Sequence, residues 1–531
     1  MVNAPTLDPS YAAPLVSFSL DQSSSESTSR LGTLTLTPRE DTPTVLQTIK
    51  TPSLIANAPR GAVTHLTPDN LRRCDSTAVH LSLEHFLDIQ PPPFSKAPFA
   101  LDHFIGLSPS QSHRTHATNP ETGKRAPSKE GSRNEERVLI SMSLREPNLR
   151  DETESDKTKG VPTNGDNEAV AIGGRGVVKV SPKIYLDWTL PRPPDLLFAL
   201  ADEPSESKPS KKRLEKSIRR SLVWLEEIAR GASERTNVFA TLVGSDDAAR
   251  RTEFSSALTG ISSSRATATA STSSPIEPHL SGYVLQCSDS PSPSLLHASL
   301  SPLPRTKPRI GLSPQGPHEI LRLVRDVGID LFVEEWSQRC STYGVALDFQ
   351  FPIAFATTTT ESSSQSEIGI NLYEPSHAYS FTPLSTSNLS PKGGEQGGDH
   401  PFGPSIPTRS YVHHLLLAHE MTSHVILALH NQVHMTNFLK SIREVLGRLN
   451  GEEVFRKEVE KFEEKYKDRK DHGGEYECFL EGKKCWEVVE KARGKGSMKD
   501  KVLELEKEEE TKEEIEKVLV GAVVEEGINT K

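Results

Sequence analysis

The chain has 531 residues, a formal charge of −10, and only 34% hydrophobic residues alongside 39 prolines. That length exceeds a typical single domain, although α/β barrels run long as one unit, and the low apolar content predicts a folded core carrying sizeable polar inserts. Residues 451–531 hold 18 Lys and Arg against 24 Asp and Glu, so most of the excess negative charge sits there. The rest is near balance and carries no electrostatic sign of nucleic-acid binding. Five scattered cysteines (Cys74, Cys287, Cys340, Cys478 and Cys485) have neither a disulfide framework nor a C-x-x-C spacing and read as reduced intracellular thiols. Residues 1–20 lack the basic and apolar regions of a signal peptide, and no run of 18 or more apolar residues occurs, so a soluble, cytoplasmic protein is expected.

In chain order, residues 107–168 are polar, Pro-rich and charge-rich, interrupted only by VLISMSL. GVVKV (176–180) and DLLFAL (195–200) read as strands, and KKRLEKSIRRSLVWLEEIAR (211–230) as a helix with apolar residues at helical spacing. VFATLV (238–243), a helical AARRTEFSSAL (248–258), YVLQ (283–286), RIGL (309–312), a short helix HEILRLVRDVG (318–328), IDLFVE (329–334) and ALDFQFPI (346–353) follow. Two Ser/Thr tracts (260–279 and 356–367) and a Gly/Pro/Ser stretch (385–407) interrupt this series, and none can bury enough apolar surface to offset its ordering entropy. Successive βα units predict a parallel sheet, and about eight of them a closed (β/α)8 barrel of the α/β class. SYVHHLLLAHEMTSHVILALHN (410–431) and MTNFLKSIREVLG (435–447) read as apolar-faced helices, and 451–531 as a Lys/Glu-rich helical tail with solvated faces.

The segment PTRSYVHHLLLAHEMTSHVILALHNQVHMTNFLKSIREVL (407–446) resembles the C-terminal signature of tRNA-guanine transglycosylases, with Arg409, Tyr411, His413, His414, Leu415, Glu420, Met421, His430 and Asn431 in register. RLGTLTL (30–36) and RGAVTHLTPDNL (60–71) resemble that family's opening strands, and they and LDHFIGLSP (101–109) resemble in particular its accessory, non-catalytic branch, in its fungal type. KPRIGLSPQGPHEILRLVRDVGIDLF (307–332) and INLYEPSHAYSFTPL (370–384) resemble two further family segments, the second lying just before a zinc motif. The resemblance implies a TIM-type barrel with a zinc-bearing insertion. It implies exchange of guanine for queuine at the wobble base of tRNAs with GUN anticodons, by a heterodimer with a catalytic queuine tRNA-ribosyltransferase subunit. It also implies a cytoplasmic complex, with peripheral association with the mitochondrial outer membrane by family analogy. The corresponding organisation is N-terminal strands and the start of the barrel over 1–106, a low-complexity insert over 107–168, the barrel core over 169–384, an insert replacing the zinc motif over 385–407, family helices over 408–450, and the tail.

Base exchange at a ribose needs a carboxylate nucleophile and a second acid/base group. In catalytic members of the resembled family the nucleophile is the second Asp of G-V-D-M-F-D-C. GIDLFVEEW aligns Asp330 with the first Asp, Phe332 with the Phe and Val333 with the nucleophile, so no catalytic residue is assigned unless the register slips onto Glu334. The second catalytic Asp, in D-S-G-G-F-Q, has no counterpart; VLISMSLREP (138–147) occupies the approximate place. V-Q-G-G becomes LVGS (242–245), with Val243 for the base-binding Gln, and G-G-L-A-V-G becomes SGYVLQCSD (281–289). ALADEP (199–204) resembles F-D-E-C and leaves Asp202 as either a base-pocket remnant at a strand's C-terminal end or a helix-capping carboxylate.

The resembled zinc site is C-x-C-x-x-C plus a His, a closed tetrahedral arrangement. His430 matches the His, but counting back reaches Pro404, and no cysteine lies between Cys340 and Cys478. Asp399, His400 and Pro404 cannot replace three thiolates, since proline has no donor and the others are harder ligands. A site rebuilt from His377, His400 and His430 is the alternative. The missing cysteines reflect either loss of the metal or intron sequence read as coding over 385–407. The remaining readings are a transglycosylase using Glu334 and a paralogue with a scaffold role only.

Overall fold

The computed structural model describes residues 12–21, 27–39, 46–108, 137–147, 163–204, 209–260, 275–287, 291–353, 365–384, 402, 406–472 and 474–492. Its strands are β1 (Leu15–Leu20), β2 (Gly32–Thr37), β3 (Gln47–Thr51), β4 (Ser53–Asn57), β5 (Ala78–Ser82), β6 (Leu139–Ser143), β7 (Ala169–Gly173), β8 (Gly176–Val180), β9 (Leu196–Phe198), β10 (Asn237–Leu242), β11 (Gly282–Gln286), β12 (Arg309–Leu312), β13 (Leu331–Glu334), β14 (Val345–Leu347) and β15 (Gly369–Asn371). Helices are α1 (Pro68–Arg73), α2 (Leu101–Phe104), α3 (Pro182–Thr189), α4 (Lys211–Ala232), α5 (Ala248–Thr259), α6 (Pro293–Leu300), α7 (Pro317–Arg322), α8 (Trp336–Thr342), α9 (Arg409–Leu417), α10 (Met421–Leu446), α11 (Gly451–Lys465) and α12 (Glu477–Ala492). Many begin at side-chain caps: Thr67, Ser181, Ser210, Asp247 and Thr408 each accept from a backbone N–H two or three residues on.

Eight parallel strands close a barrel in the order β4–β5–β6–β9–β10–β11–β12–β13, with β13 pairing back onto β4 through Val333 and Ile55. This is the (β/α)8 architecture that the alternating pattern predicts. Because side chains alternate along a strand, Ile55, Ala78, Leu139, Leu196, Phe198, Phe239, Val284, Ile310, Leu331 and Val333 share the barrel interior and form one apolar cluster. The antiparallel sheet β1–β2–β3 closes the N-terminal end, adding Leu34, Leu36 and Ile49 to that cluster. Asn237 Nδ2 donates to Pro14 O (2.7 Å) and Gln47 Nε2 to Thr77 O (2.8 Å), fixing the lid to the strand starts. Beneath it Arg30 pairs with Asp330 at 3.1 Å, both fully buried.

Several segments lie elsewhere than their pattern predicts. VLISMSL contains β6, a barrel strand, although its flanks are polar. GVVKV is β8, half of the separate hairpin β7–β8, because three valines in five residues read alike in a barrel and in a hairpin. RGAVTHLTPDNL forms turns and α1, and ALDFQFPI yields only β14, outside the barrel and paired with β15. The tail, read as solvated helix, is docked through residue 492: Phe455, Val459 and Phe462 of α11 are buried against Phe351 and Phe438. Apolar residues at helical spacing were masked there by dense Lys and Glu. The rest of the tail and much of 107–168 and 385–407 lie outside the described residues.

Candidate functional site

The mouth of a (β/α)8 barrel, at the strands' C-terminal ends, is where such folds place their chemistry. Above the apolar layer the interior turns polar, as alternation brings Asn57, His80, Ser141, Ser143, Thr241 and Gln286 inward from β4, β5, β6, β10 and β11. His80 has no exposed surface; its Nδ1 lies 2.9 Å from Ser141 Oγ and its Nε2 2.9 Å from Ser143 Oγ, with the ring stacked 5.0 Å from Phe198. Burial pushes its pKa down to about 3, so the imidazole is neutral. A cavity of about 80 Å³ opens above, lined by Ser143, Arg145, Glu146, Glu203, Thr241 and Gln286 among others.

Val333 faces inward within the apolar cluster and is 1% exposed. Its methyl groups offer neither a nucleophile nor a base where the resembled family has its attacking carboxylate. Glu334, one residue on, faces the opposite way. Its carboxylate accepts from Ser337 N (2.6 Å) and Ser337 Oγ (2.7 Å), capping the start of α8 outside the barrel interior. Burial raises its pKa to about 7 despite those bonds. The carboxylate that does return to the mouth is Glu335, whose Oε2 accepts from Asn57 Nδ2 at 3.0 Å; Asn57 Nδ2 also lies 3.5 Å from Glu146 Oε1, and Glu146 Oε2 lies 3.2 Å from His85 Nε2. Sequence reasoning missed this group, although counting by twos from Val333 reaches it.

Asp202 follows β9 and is fully buried. Arg213 grips it with two bonds of 2.8 Å, Asn164 Nδ2 donates at 2.7 Å and Arg220 Nη1 at 3.1 Å. Burial alone would raise its pKa, but the Arg213 and Asn164 hydrogen bonds outweigh that and hold it below the usual carboxylate range. Ser217 Oγ donates to its carbonyl, and its own N–H donates to Ser221 Oγ at 2.9 Å. The carboxylate is therefore committed to the first turns of α4.

His430 lies inside α10 with no exposed surface, and its Nε2 donates to Leu347 O at 2.8 Å. The next residue, Asn431, accepts from Leu347 N and donates to Val345 O, both at 2.9 Å. The His-Asn pair thus pins β14 to α10. With Nε2 donating to a carbonyl, Nδ1 is the ring nitrogen that a metal would take, and a closed tetrahedral site needs three further donors. His377 sits in a single turn at Pro375–His377, while Asp399, His400 and Pro404 lie outside the described residues. Among the described residues no group of three or more His, Cys, Asp or Glu side chains is placed to hold a metal. The sequence supplies no cysteine between Cys340 and Cys478 to complete with His430 a site of the resembled kind.

The sequence profile of the family described as Queuine tRNA-ribosyltransferase matches residues 141–468. Among curated proteins, the chain is 26% identical over 428 residues to the queuine tRNA-ribosyltransferase accessory subunit 2 of Schizosaccharomyces pombe, covering 79% of each chain. It is 25% identical over 308 residues to the protein of that name from Danio rerio, covering 53% of this chain and 69% of the relative. The human protein of that name is 26% identical over 325 residues, covering 54% of this chain and 71% of the relative.

Proposed function

Because the chain belongs to the queuine tRNA-ribosyltransferase family, we propose that it is the non-catalytic subunit of a heterodimer that exchanges guanine for queuine at the tRNA wobble base. The observation that carries this reading is Val333, an inward-facing aliphatic side chain at the position of the family nucleophile. A valine cannot hold the anomeric carbon while one base leaves and another enters. Support also comes from Asp202, whose carboxylate is bound by Arg213 and Arg220 of α4. No step is assigned to zinc.

The catalytic chemistry and the extrusion of the wobble base belong to the partner, while this chain completes the dimer and supports the anticodon arm in the cytoplasm. Among the described residues no helix is long and apolar enough to cross a membrane. The dimer surface lies beside the segment that resembles the zinc insertion. There Tyr379 (86% exposed), Phe381 (74%) and Tyr411 (48%) are brought together by the Pro383–Thr408 bridge and by Ser410 N donating to Ser380 O at 2.8 Å. Aromatic side chains left this open on a folded surface mark a protein contact. An active transglycosylase using Glu334 is disfavoured because both of its oxygens are engaged at the start of α8.

The test is native mass spectrometry of the chain mixed with a catalytic family member. A one-to-one complex is expected. Two separate species at micromolar concentration would leave a scaffold protein without this partner.

A further inference from the structure

The family profile ends at residue 468, yet the chain continues through Tyr476 into α12. Tyr476 is 1% exposed, its hydroxyl 3.0 Å from His318 Nδ1 and its ring 5.2 Å from that of Trp336. From there α12 lies along β14 and β15 with a continuous inward stripe of Cys478, Phe479, Gly482, Cys485, Trp486 and Val489, the three-and-four spacing of an amphipathic helix. Phe479 and Trp486 meet the Tyr343 ring edge-on at 5.1 and 5.3 Å, and the Arg339 guanidinium lies 4.8 Å over Phe479. Asn371 Nδ2 donates to Cys485 Sγ at 3.8 Å, while Val489 packs in one cluster with Leu372, Tyr373, Val412 and Leu416.

Gly482 marks the closest approach. A β-carbon there would come within 2.6 Å of Tyr343 O and 2.7 Å of a Val345 methyl. Glycine inside a helix costs roughly 1 kcal/mol relative to alanine, so its value lies in letting the two backbones touch. Ion pairs close both ends of the entry turn: Glu475 with Arg339 at 3.2 Å and Glu477 with Lys467 at 2.6 Å.

The elements under α12 need such support. β14 and β15 are three residues each and, among the described residues, form a sheet only with one another; a two-stranded sheet is marginal by itself. In the resembled family a closed zinc site with three cysteine ligands ties this region together, and no cysteine lies between Cys340 and Cys478 here. We propose that α12 is an apolar clamp that holds β14, β15 and α9 in place, supplying through packing the closure that metal ligation supplies in the family. Of the proposed function the inference uses family membership alone, so it stands whether or not the chain is catalytically silent.

The experiment uses the full chain, with metal content by inductively coupled plasma mass spectrometry and amide hydrogen exchange with and without a zinc chelator. Zinc is expected well below one equivalent, and the chelator leaves exchange unchanged. Gly482→Val speeds exchange over 369–384 and 409–417 by at least about tenfold, while β9 to β12 keep their protection. Should that variant fail to fold, Val489→Ser at the clamp's far end gives the same local pattern in milder form. Stoichiometric zinc whose removal frees the same segments would overturn the proposal. So would unchanged exchange there in the folded clamp variants.

Discussion

Replacing Asp202 with alanine separates a structural carboxylate from a base-recognising one. The substitution removes two Arg213 bonds, the Arg220 bond and the Asn164 bond in one step. Arg220, 5% exposed, keeps Asp166 at 2.8 Å and so is only partly orphaned, whereas Arg213, 20% exposed, can turn its guanidinium towards water. Breaking a buried ion pair costs about 3–5 kcal/mol, and these two escapes place Asp202→Ala at the lower end, about 3 kcal/mol. That is roughly two powers of ten in the folding equilibrium. Urea denaturation followed by circular dichroism reads it directly. A variant within 0.5 kcal/mol of the parent (roughly the scatter of neutral surface changes) that nonetheless alters base exchange by the heterodimer would refute the reasoning and restore Asp202 to a base pocket.

Three further outcomes are expected. Val333→Asp buries an unpaired carboxylate among aliphatic side chains, so it lowers stability by several kcal/mol and restores no guanine exchange, the second catalytic loop being absent; exchange by that variant alone would contradict the assignment. The double variant Tyr379→Ser, Phe381→Ser weakens the heterodimer at least about tenfold in titration calorimetry and leaves the chain's own melting unchanged. The third concerns pH. Burial lowers the pKa of His80 to about 3, His318 to about 4 and His434 to about 3, so the unfolded chain takes up protons first as pH falls below 6.5, and each costs about 2 kcal/mol of stability at pH 5. Burial raises Glu334 to about 7 and Asp330 to about 6, so stability from these two is full below their unfolded pKa values and is lost as pH rises through the folded ones. Glu334→Gln removes one compensating group and so steepens the fall from pH 7.5 to 5 by roughly 2 kcal/mol. A flat profile for both proteins would contradict this balance.

The barrel was legible because the interior face of each strand must be apolar and each strand is followed by a helix or loop that returns the chain. Strand β6 was not, since Leu139, Ile140 and Met142 make too short a signal between long polar flanks. Likewise GVVKV satisfies a barrel strand and a hairpin equally, and only pairing with β7 decides. At the site, Val333 was legible from register alone. The direction of its neighbours was not: period-two alternation turns Glu334 outward to Ser337 and brings Glu335 back to Asn57, a fact set by where β13 ends. Asp202 could be placed at a strand end, but its partners Arg213 and Arg220 lie 11 and 18 residues on and meet it only once α4 folds back.

The most direct measurement is incorporation of labelled guanine into tRNA with a GUN anticodon, by this chain alone, by a catalytic family member alone, and by the two together. We expect no incorporation by this chain, little by the other subunit, and full exchange by the mixture. Incorporation by this chain alone, abolished by Glu334→Gln or Glu335→Gln, would contradict a non-catalytic role.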